Sequence, residues 1–395
     1  MHKLNRTLID VIGETRALFF LGFVLLLLCV TYFVEPAAAE VKEIKVGWIG
    51  PLTGNSAVLG VDSLKAVQMA FDEINHRGGI EGFTLKLVAE DDQYSASKTL
   101  SAYRKLVAVD KVKFVFVITY GGLFAIADQV KRDGVIAVDP LDCDEAIAKL
   151  NDHVLCVAKT TESLGELAAE DAVKHGNTPV GILYFEGDPF PQATAENARA
   201  RLAELGIKPA VFEGYVSSSQ DFRSLVEKLK AAKVKALFMY GYDEMGLLTR
   251  QVRDLGLSPQ IYSFGTVTSP GFLSSAQGSA ENAIIVAWFG EGGERLDKFL
   301  EEFHKQNNRN PFLHISTVPS YDVANIFAGC LEKGGIDKTQ GAVLSEYVLE
   351  CLYALKNYQG ISGSITMDKD GITRSFSHSI KILKGSTLEQ LPLRE

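Results

Sequence analysis

The stretch from Ile44 to Asp92 constrains the fold more than any other part of the chain. Ile44, Val46 and Trp48 alternate with Lys45 and Gly47, and the turn Gly50-Pro51-Leu52-Thr53-Gly54 follows at once. Val67, Ala70, Phe71 and Ile74 then recur at helical spacing until Gly78-Gly79 stops them. Leu85-Lys86-Leu87-Val88-Ala89 reads as a second strand and runs into Glu90-Asp91-Asp92. Strand, glycine-rich turn, helix and strand in that order make one βαβ unit.

The pattern repeats along the chain. Runs 114–118 and 135–138 are near-continuous β-branched and aromatic residues, as parallel strands covered on both faces require, and a helix at 123–132 separates them. A second series begins near Thr160 with a helix at 163–174, a strand at 180–185 and a helix around 194–205 ended by Gly206. A strand at Val211-Phe212, a helix over 219–230, a strand at 236–240 and a helix over 244–255 complete it. Two such series in a chain of this length predict two lobes. The C-terminal part carries helices at 294–307, 321–333 and 341–356, then a hairpin over 365–372 with Asp370-Gly371 in its turn. Phe376, His378, Ile380 and Ile382 continue in strand alternation.

Residues 1–39 read as a leader outside this fold. Lys3, Arg6 and Arg16 precede an apolar run from Ala17 to Val34, and Ala37-Ala38-Ala39 supplies a small-residue cleavage site before Glu40. Cleavage after Ala39 and export to the periplasm are expected; a run this long also reads as an uncleaved anchor. Cys29 follows Leu28 inside the run and makes a poor lipid-attachment site. The leader's three bases balance Asp10, Glu14 and Glu35, so the rest keeps the net charge of −9. An acidic chain of pI near 5.4 has no electrostatic footprint for nucleic acid or an anionic membrane. Cys143, Cys156, Cys330 and Cys351 remain after the leader. An oxidising compartment permits Cys143–Cys156 and Cys330–Cys351, but four cysteines allow three pairings and the sequence does not choose.

Constellations for catalysis are missing from the motifs. The 50–54 turn lacks both the Gly-Lys-(Ser/Thr) ending of a phosphate loop and the spacing of a dinucleotide site. There is no Gly-x-Ser-x-Gly, His-Glu-x-x-His or Cys-x-x-Cys. Glu90-Asp91-Asp92 is read as a solvated strand end, since neighbours on a strand point to opposite faces and cannot share a metal. No enzyme activity, cofactor or metal is expected.

The pieces Pro51-Leu52-Thr53-Gly54, Ile74-Asn75-His76-Arg77-Gly78-Gly79-Ile80-Glu81-Gly82, Asp91-Asp92 and Tyr240-Gly241-Tyr242-Asp243-Glu244-Met245-Gly246 stand in the order found in one family. The chain resembles the periplasmic leucine/isoleucine/valine-binding proteins, the type I solute-binding proteins of branched-chain amino acid ABC transporters. That resemblance covers nearly all of the chain after the leader. It implies an α/β type I periplasmic-binding-protein fold: two doubly wound parallel-sheet lobes joined by a three-stranded hinge. It divides the chain into lobe 1 at 40–160 and 289–362 and lobe 2 at 161–288 and 363–395. It implies a monomer that captures a small ligand and delivers it to a membrane ABC permease with its ATPase. A ligand sensor feeding a membrane receptor on the same fold is the rival reading.

Ligands of open parallel sheets bind beyond the carboxyl ends of the strands. The loops to inspect are therefore 50–59, 119–122 and 139–143 in lobe 1, and 185–190, 242–244 and 265–268 in lobe 2. By resemblance, Glu244 aligns with the acid that holds a ligand ammonium; as a plain helix-start acid it would complement the helix dipole. Lobe 1 departs from the family, with Tyr120 and Cys143 where a Ser and a Thr hold the ligand carboxylate. Backbone N–H groups at Gly121 and Gly122 remain as anion donors, and Asp142 falls in the same strand-end loop as Cys143. Leu59 and Phe190 replace two tyrosines of the family's aromatic wall, and Trp288 is placed to close the pocket. These changes predict a more apolar pocket that binds branched-chain amino acids weakly or not at all.

Overall fold

The computed structural model describes residues 42–54, 56–158, 160–216, 220–287, 293–374 and 379–391. The leader with its cleavage site, Trp288, Phe376 and His378 lie outside them.

The first sheet holds β1 (Glu43–Gly50), β2 (Thr84–Asp91), β3 (Phe114–Val117), β4 (Ile136–Asp139) and β5 (Val154–Cys156), all parallel in the order β2-β1-β3-β4-β5. The second is built on β6 (Val180–Phe185), β7 (Val211–Tyr215), β8 (Ala236–Tyr240), β9 (Gln260–Ser263) and β10 (Ile284–Ala287), parallel in the order β7-β6-β8-β9-β10. Two short ribbons follow: β11 (Ile336–Asp337) with β12 (Ala342–Val343), and β13 (Tyr358–Gly360) with β14 (Gly363–Ile365). The chain then adds β15 (Ser379–Lys384) and β16 (Thr387–Gln390) antiparallel to the β10 edge of the second sheet. Every residue of β3, β4 and β8 is buried, as strands covered on both faces must be.

Helices α1 (Ala57–His76), α2 (Ala96–Lys105), α3 (Tyr120–Asp133) and α4 (Glu145–Ala148) connect the first sheet. Helices α5 (Glu162–Lys174), α6 (Pro189–Glu204), α7 (Arg223–Ala231), α8 (Glu244–Asp254) and α9 (Pro270–Ala276) connect the second. Helices α10 (Glu294–Asn307), α11 (His314–Cys330) and α12 (Ser345–Tyr353) follow β10. Among them α11 returns to the first lobe: Ser320 bonds Ser63 of α1 at 2.8 Å, and Tyr321 donates to Glu73 at 2.6 Å.

The Ile-Asn-x-x-Gly-Gly motif has a structural cause. Asn75 at the end of α1 accepts from Leu85 N at 2.8 Å and donates to Leu85 O at 2.9 Å, which fixes helix against strand. Gly79 sits at φ +70° with the Phe83 carbonyl where a Cβ would lie, so no other residue fits.

Several boundaries differ from those expected. Helix α3 begins at Tyr120 and runs through Gly121-Gly122, because a Cβ at Gly122 would lie 2.2 Å from Thr99 Oγ1 of α2; glycine here allows close helix packing. Helix α6 begins at Pro189, capped by Asp188, and α11 runs through Pro319, which reads as a boundary in sequence. The expected hairpin over 365–372 is not a ladder. A single bridge joins Met367 to Thr373 around a turn in which Asp368 accepts from Asp370 N and Ile372 N, while the true ladder is β13–β14. Ile372 bridges Cys156 of β5, which sets this turn against the first sheet. Both sequence-near cysteine pairs are disulfides, Cys143–Cys156 and Cys330–Cys351.

Candidate functional site

Strand order reverses between β1 and β3 in the first sheet and between β6 and β8 in the second. Such switch points open a crevice beyond the strand ends, and the loops that follow these four strands meet one another.

After β2, the acidic run builds one wall. Asp91 accepts from Leu52 N (2.9 Å), Thr53 Oγ1 (2.6 Å) and Gln93 N (3.0 Å), tying the 50–54 turn to the end of β2. Asp92 accepts from Tyr94 N at 2.9 Å and Thr99 Oγ1 at 2.7 Å. These bonds hold Gln93 and Tyr94 at φ +52° and +59°, a conformation that disfavours side-chain-bearing residues and persists only where its surroundings impose it. The result aims Tyr94 across the cleft. Glu90 pairs with Lys105 of α2 at 2.6 Å. The expectation of a solvated strand end therefore fails for Asp92, which is wholly buried, and burial raises its pKa.

On the facing lobe, Asp188 caps α6 by accepting from Phe190 N at 3.2 Å, and it also accepts the Tyr242 hydroxyl. Burial above all, with the charge of Asp142 opposite, pushes the Asp188 pKa up to about 6. The Tyr242 hydroxyl lies 3.1 Å from that of Tyr94, and their rings meet edge-on at 5.6 Å. Burial raises both phenol pKa values well above the ordinary range, so both stay neutral. Behind β4, Asp139 accepts from Leu141 N at 2.7 Å and Asp142 N at 3.1 Å, which sets the turn that presents Asp142.

Together these loops close on a small, tight cavity. Leu59, Leu164, Phe190, Phe264 and Ile315 form its apolar wall. Its polar lining includes Tyr94, Asp142, Tyr242 and Thr266.

Three of the expected residues, Leu59, Asp142 and Phe190, come together here. Others sit one layer back. Tyr120 packs on Phe190 with ring centroids 6.1 Å apart but gives its hydroxyl to Asp144. Gly121 faces Pro189 of the other lobe, a Cβ there lying 3.7 Å from the proline ring. Cys143 is fully buried in its disulfide and presents no thiol. Glu244 is absent from the lining; it accepts from Tyr242 N at 3.0 Å and Tyr215 Oη at 3.1 Å, and burial raises its pKa. Trp288 lies outside the described residues. Tyr94, Leu164, Phe264 and Ile315 were not anticipated. Tyr94 follows the end of β2, so the same strand-end rule, extended to β2, reaches it. Among the described residues, no group of three or more His, Cys, Asp or Glu is placed to hold a metal, and no helix is long and apolar enough to cross a membrane.

A profile of the family described as Periplasmic binding protein matches residues 43–386. Over 341 residues the chain is 26% identical to the leucine-, isoleucine-, valine-, threonine- and alanine-binding protein of Pseudomonas aeruginosa, with 85% of this chain and 89% of that one covered. In three dimensions it is similar to a leucine-binding protein of Thermotoga maritima, with a TM-score of 0.79 at 20% identity over 88% of this chain and 97% of that one. It is also similar to a solute-binding protein of R. palustris in complex with 4-hydroxybenzoate, with a TM-score of 0.78 at 17% identity over 88% and 96%. The profile spans both sheets and the solved relatives share the fold, so this chain belongs to the Periplasmic binding protein family, as a type I solute-binding protein of the branched-chain amino acid ABC transporter kind.

Proposed function

We propose that this protein captures a small ligand in the periplasm, between its two lobes, and delivers it to a membrane ABC permease without chemical change. The carrying observation is the cavity at the paired switch points, bridged from lobe to lobe by Tyr94 and Tyr242. A contact made only when the lobes meet lets a ligand bias the open–closed equilibrium by its differential affinity for the closed form. Leu59, Asp142 and Phe190 touch the ligand in this reading. Tyr120, Gly121, Cys143 and Glu244 support the loops around it, with Glu244 fixing Tyr242. Relatives bind aliphatic amino acids or a hydroxybenzoate, and the apolar wall suits a body of either shape. Small-angle scattering should show compaction at saturating ligand; an unchanged profile for every ligand that binds would leave a fixed pocket instead.

A further inference from the structure

The Cys143–Cys156 disulfide stands where a cavity loop meets the connections between the two sheets. Cys143 follows Leu141 and Asp142, which line the cavity. Cys156 ends β5, where the chain leaves the first sheet for α5. Each cysteine also grips one connection. The Cys143 carbonyl accepts from Thr161 N at 2.8 Å, one residue before α5, whose Leu164 lines the cavity as well. Cys156 N donates to the Gly371 carbonyl at 3.0 Å, on the path toward β15. Thr373 joins the two connections. Its Oγ1 accepts from Ala158 N at 3.1 Å, donates to the Ala158 carbonyl at 3.0 Å and lies 3.7 Å from Cys143 Sγ.

The bond thus keeps the loop of Leu141 and Asp142 in register with the segments about which the lobes turn. A hinge is a few residues that absorb the φ/ψ change, and a rigid tie beside it confines the turn to those residues. Without the tie, the loop and both connections would have to be ordered each time a ligand binds, which costs affinity. On the reading that the lobes close on a ligand, we propose that the Cys143–Cys156 bond is a positioning element of the cleft. It couples the cavity loop to both connections, so its loss loosens closure while each lobe stays folded.

The test compares Cys143→Ala/Cys156→Ala with Cys330→Ala/Cys351→Ala, which removes the disulfide joining α11 to α12. Hydrogen exchange of the ligand-free proteins reads the connections directly. Relative to amides of β1 and β3, exchange at Ala158 and Thr161 should quicken about tenfold or more in the first variant and stay near wild type in the second. Scattering should show a larger radius of gyration for the first variant alone. In calorimetry with leucine and 4-hydroxybenzoate, any probe that wild type binds should weaken about tenfold in the first variant and hold its affinity in the second. Equal changes in both variants would reduce the bond to general stability and overturn the proposal. A folded first variant whose connections exchange as in wild type would do the same. If alanine at these buried sites prevents folding, the second variant is refolded with a phosphine, which leaves Cys143 and Cys156 as thiols. Unchanged exchange there also overturns the proposal, and so does failure to fold by either route, since the bond then serves the fold itself. The capture reading fails separately, if wild type binds a probe and its scattering profile does not compact.

Discussion

Tyr94 and Tyr242 place their hydroxyl oxygens 3.1 Å apart, one on each lobe, and so tie the loop after β2 to the loop after β8. Tyr242 has one proton and Asp188 accepts it, which leaves Tyr94 to donate toward Tyr242. The relay ends on the Asp188 carboxylate, which also accepts from Phe190 N at 3.2 Å.

Tyr94→Phe removes the bridging hydroxyl and keeps the ring. A net hydrogen bond of about 1 kcal/mol corresponds to roughly a fivefold smaller closed-to-open ratio. Scattering on the ligand-free protein should show a larger radius of gyration than wild type, with thermal stability of each lobe unchanged. An identical profile would mean that the bridge does not bias closure.

Asp92→Ala tests how the acidic run builds the site. The variant leaves Tyr94 N and Thr99 Oγ1 without the acceptor they now share. Thr99 Oγ1 can turn to the Ser95 carbonyl at 3.1 Å, whereas a buried donor left unpaired costs about 1–3 kcal/mol, so a loss of about 1–3 kcal/mol in urea unfolding is expected, together with weaker ligand binding. Asp91→Ala acts at an exposed position and should cost less.

Much of this architecture is legible from sequence because its causes are local. The apolar runs of β3, β6 and β8 and the Gly-Gly stop after α1 depend on neighbours within a few residues. The fold-level resemblance then places the crevice. What stayed hidden depends on contacts distant in sequence. The turn before Thr373 is held by Ile372 meeting Cys156, and the start of α3 by Gly122 meeting Thr99. In the site, the strand-end rule found Leu59, Asp142 and Phe190. It did not reveal that Tyr120 and Glu244 point to Asp144 and Tyr215, since a side chain's direction is decided by its partners.

The pH dependence of stability follows from two buried carboxylates. Burial raises both Asp188 and Asp322 from 3.8 to about 6; Asp322 accepts from Ile361 N and Ser362 N at 2.9 and 2.8 Å. A group whose pKa rises on folding contributes its stability fully below the unfolded value, and that contribution is lost as pH rises through the folded value. Each shift is worth at most about 3 kcal/mol at 1.36 kcal/mol per pKa unit. These two sites therefore favour pH 4 over pH 7, and Asp188→Asn should flatten the melting-temperature profile between pH 4 and 7. A variant profile as steep as wild type would assign the slope elsewhere.

The two disulfides should open in sequence. Cys143 and Cys156 are both wholly buried, whereas Cys351 is partly exposed beside buried Cys330. Exchange needs access of a thiolate to sulfur. Under graded reductant, alkylation and mass spectrometry should report Cys330 and Cys351 labelled first. Loss of either bond costs roughly 2–4 kcal/mol, so the stability drop should come in two steps; simultaneous labelling of all four cysteines would contradict the order.

Arg309 holds a buried charge in place beside the site. Asp62 of α1 is wholly buried and accepts from Arg309 at 2.9 and 2.6 Å and from Phe312 N at 2.8 Å. The guanidinium lies 3.7 Å over the Phe312 ring, and the Phe312 carbonyl lies 3.5 Å from Thr268 Oγ1 on the other lobe. The pair thus fixes the loop that leads into Ile315 of the cavity wall. Arg309→Met leaves the aspartate buried with one backbone donor, a loss of about 3–5 kcal/mol. Replacing both partners by apolar residues, Asp62→Leu with Arg309→Met, removes the stranded charge and should recover most of that loss, because a buried ion pair stabilises little beyond what good packing supplies. Urea unfolding of the two single variants and the double variant closes the cycle. A single Arg309→Met variant that loses less than about 1 kcal/mol would show that water reaches Asp62, and the loop would then be held by Phe312 packing alone.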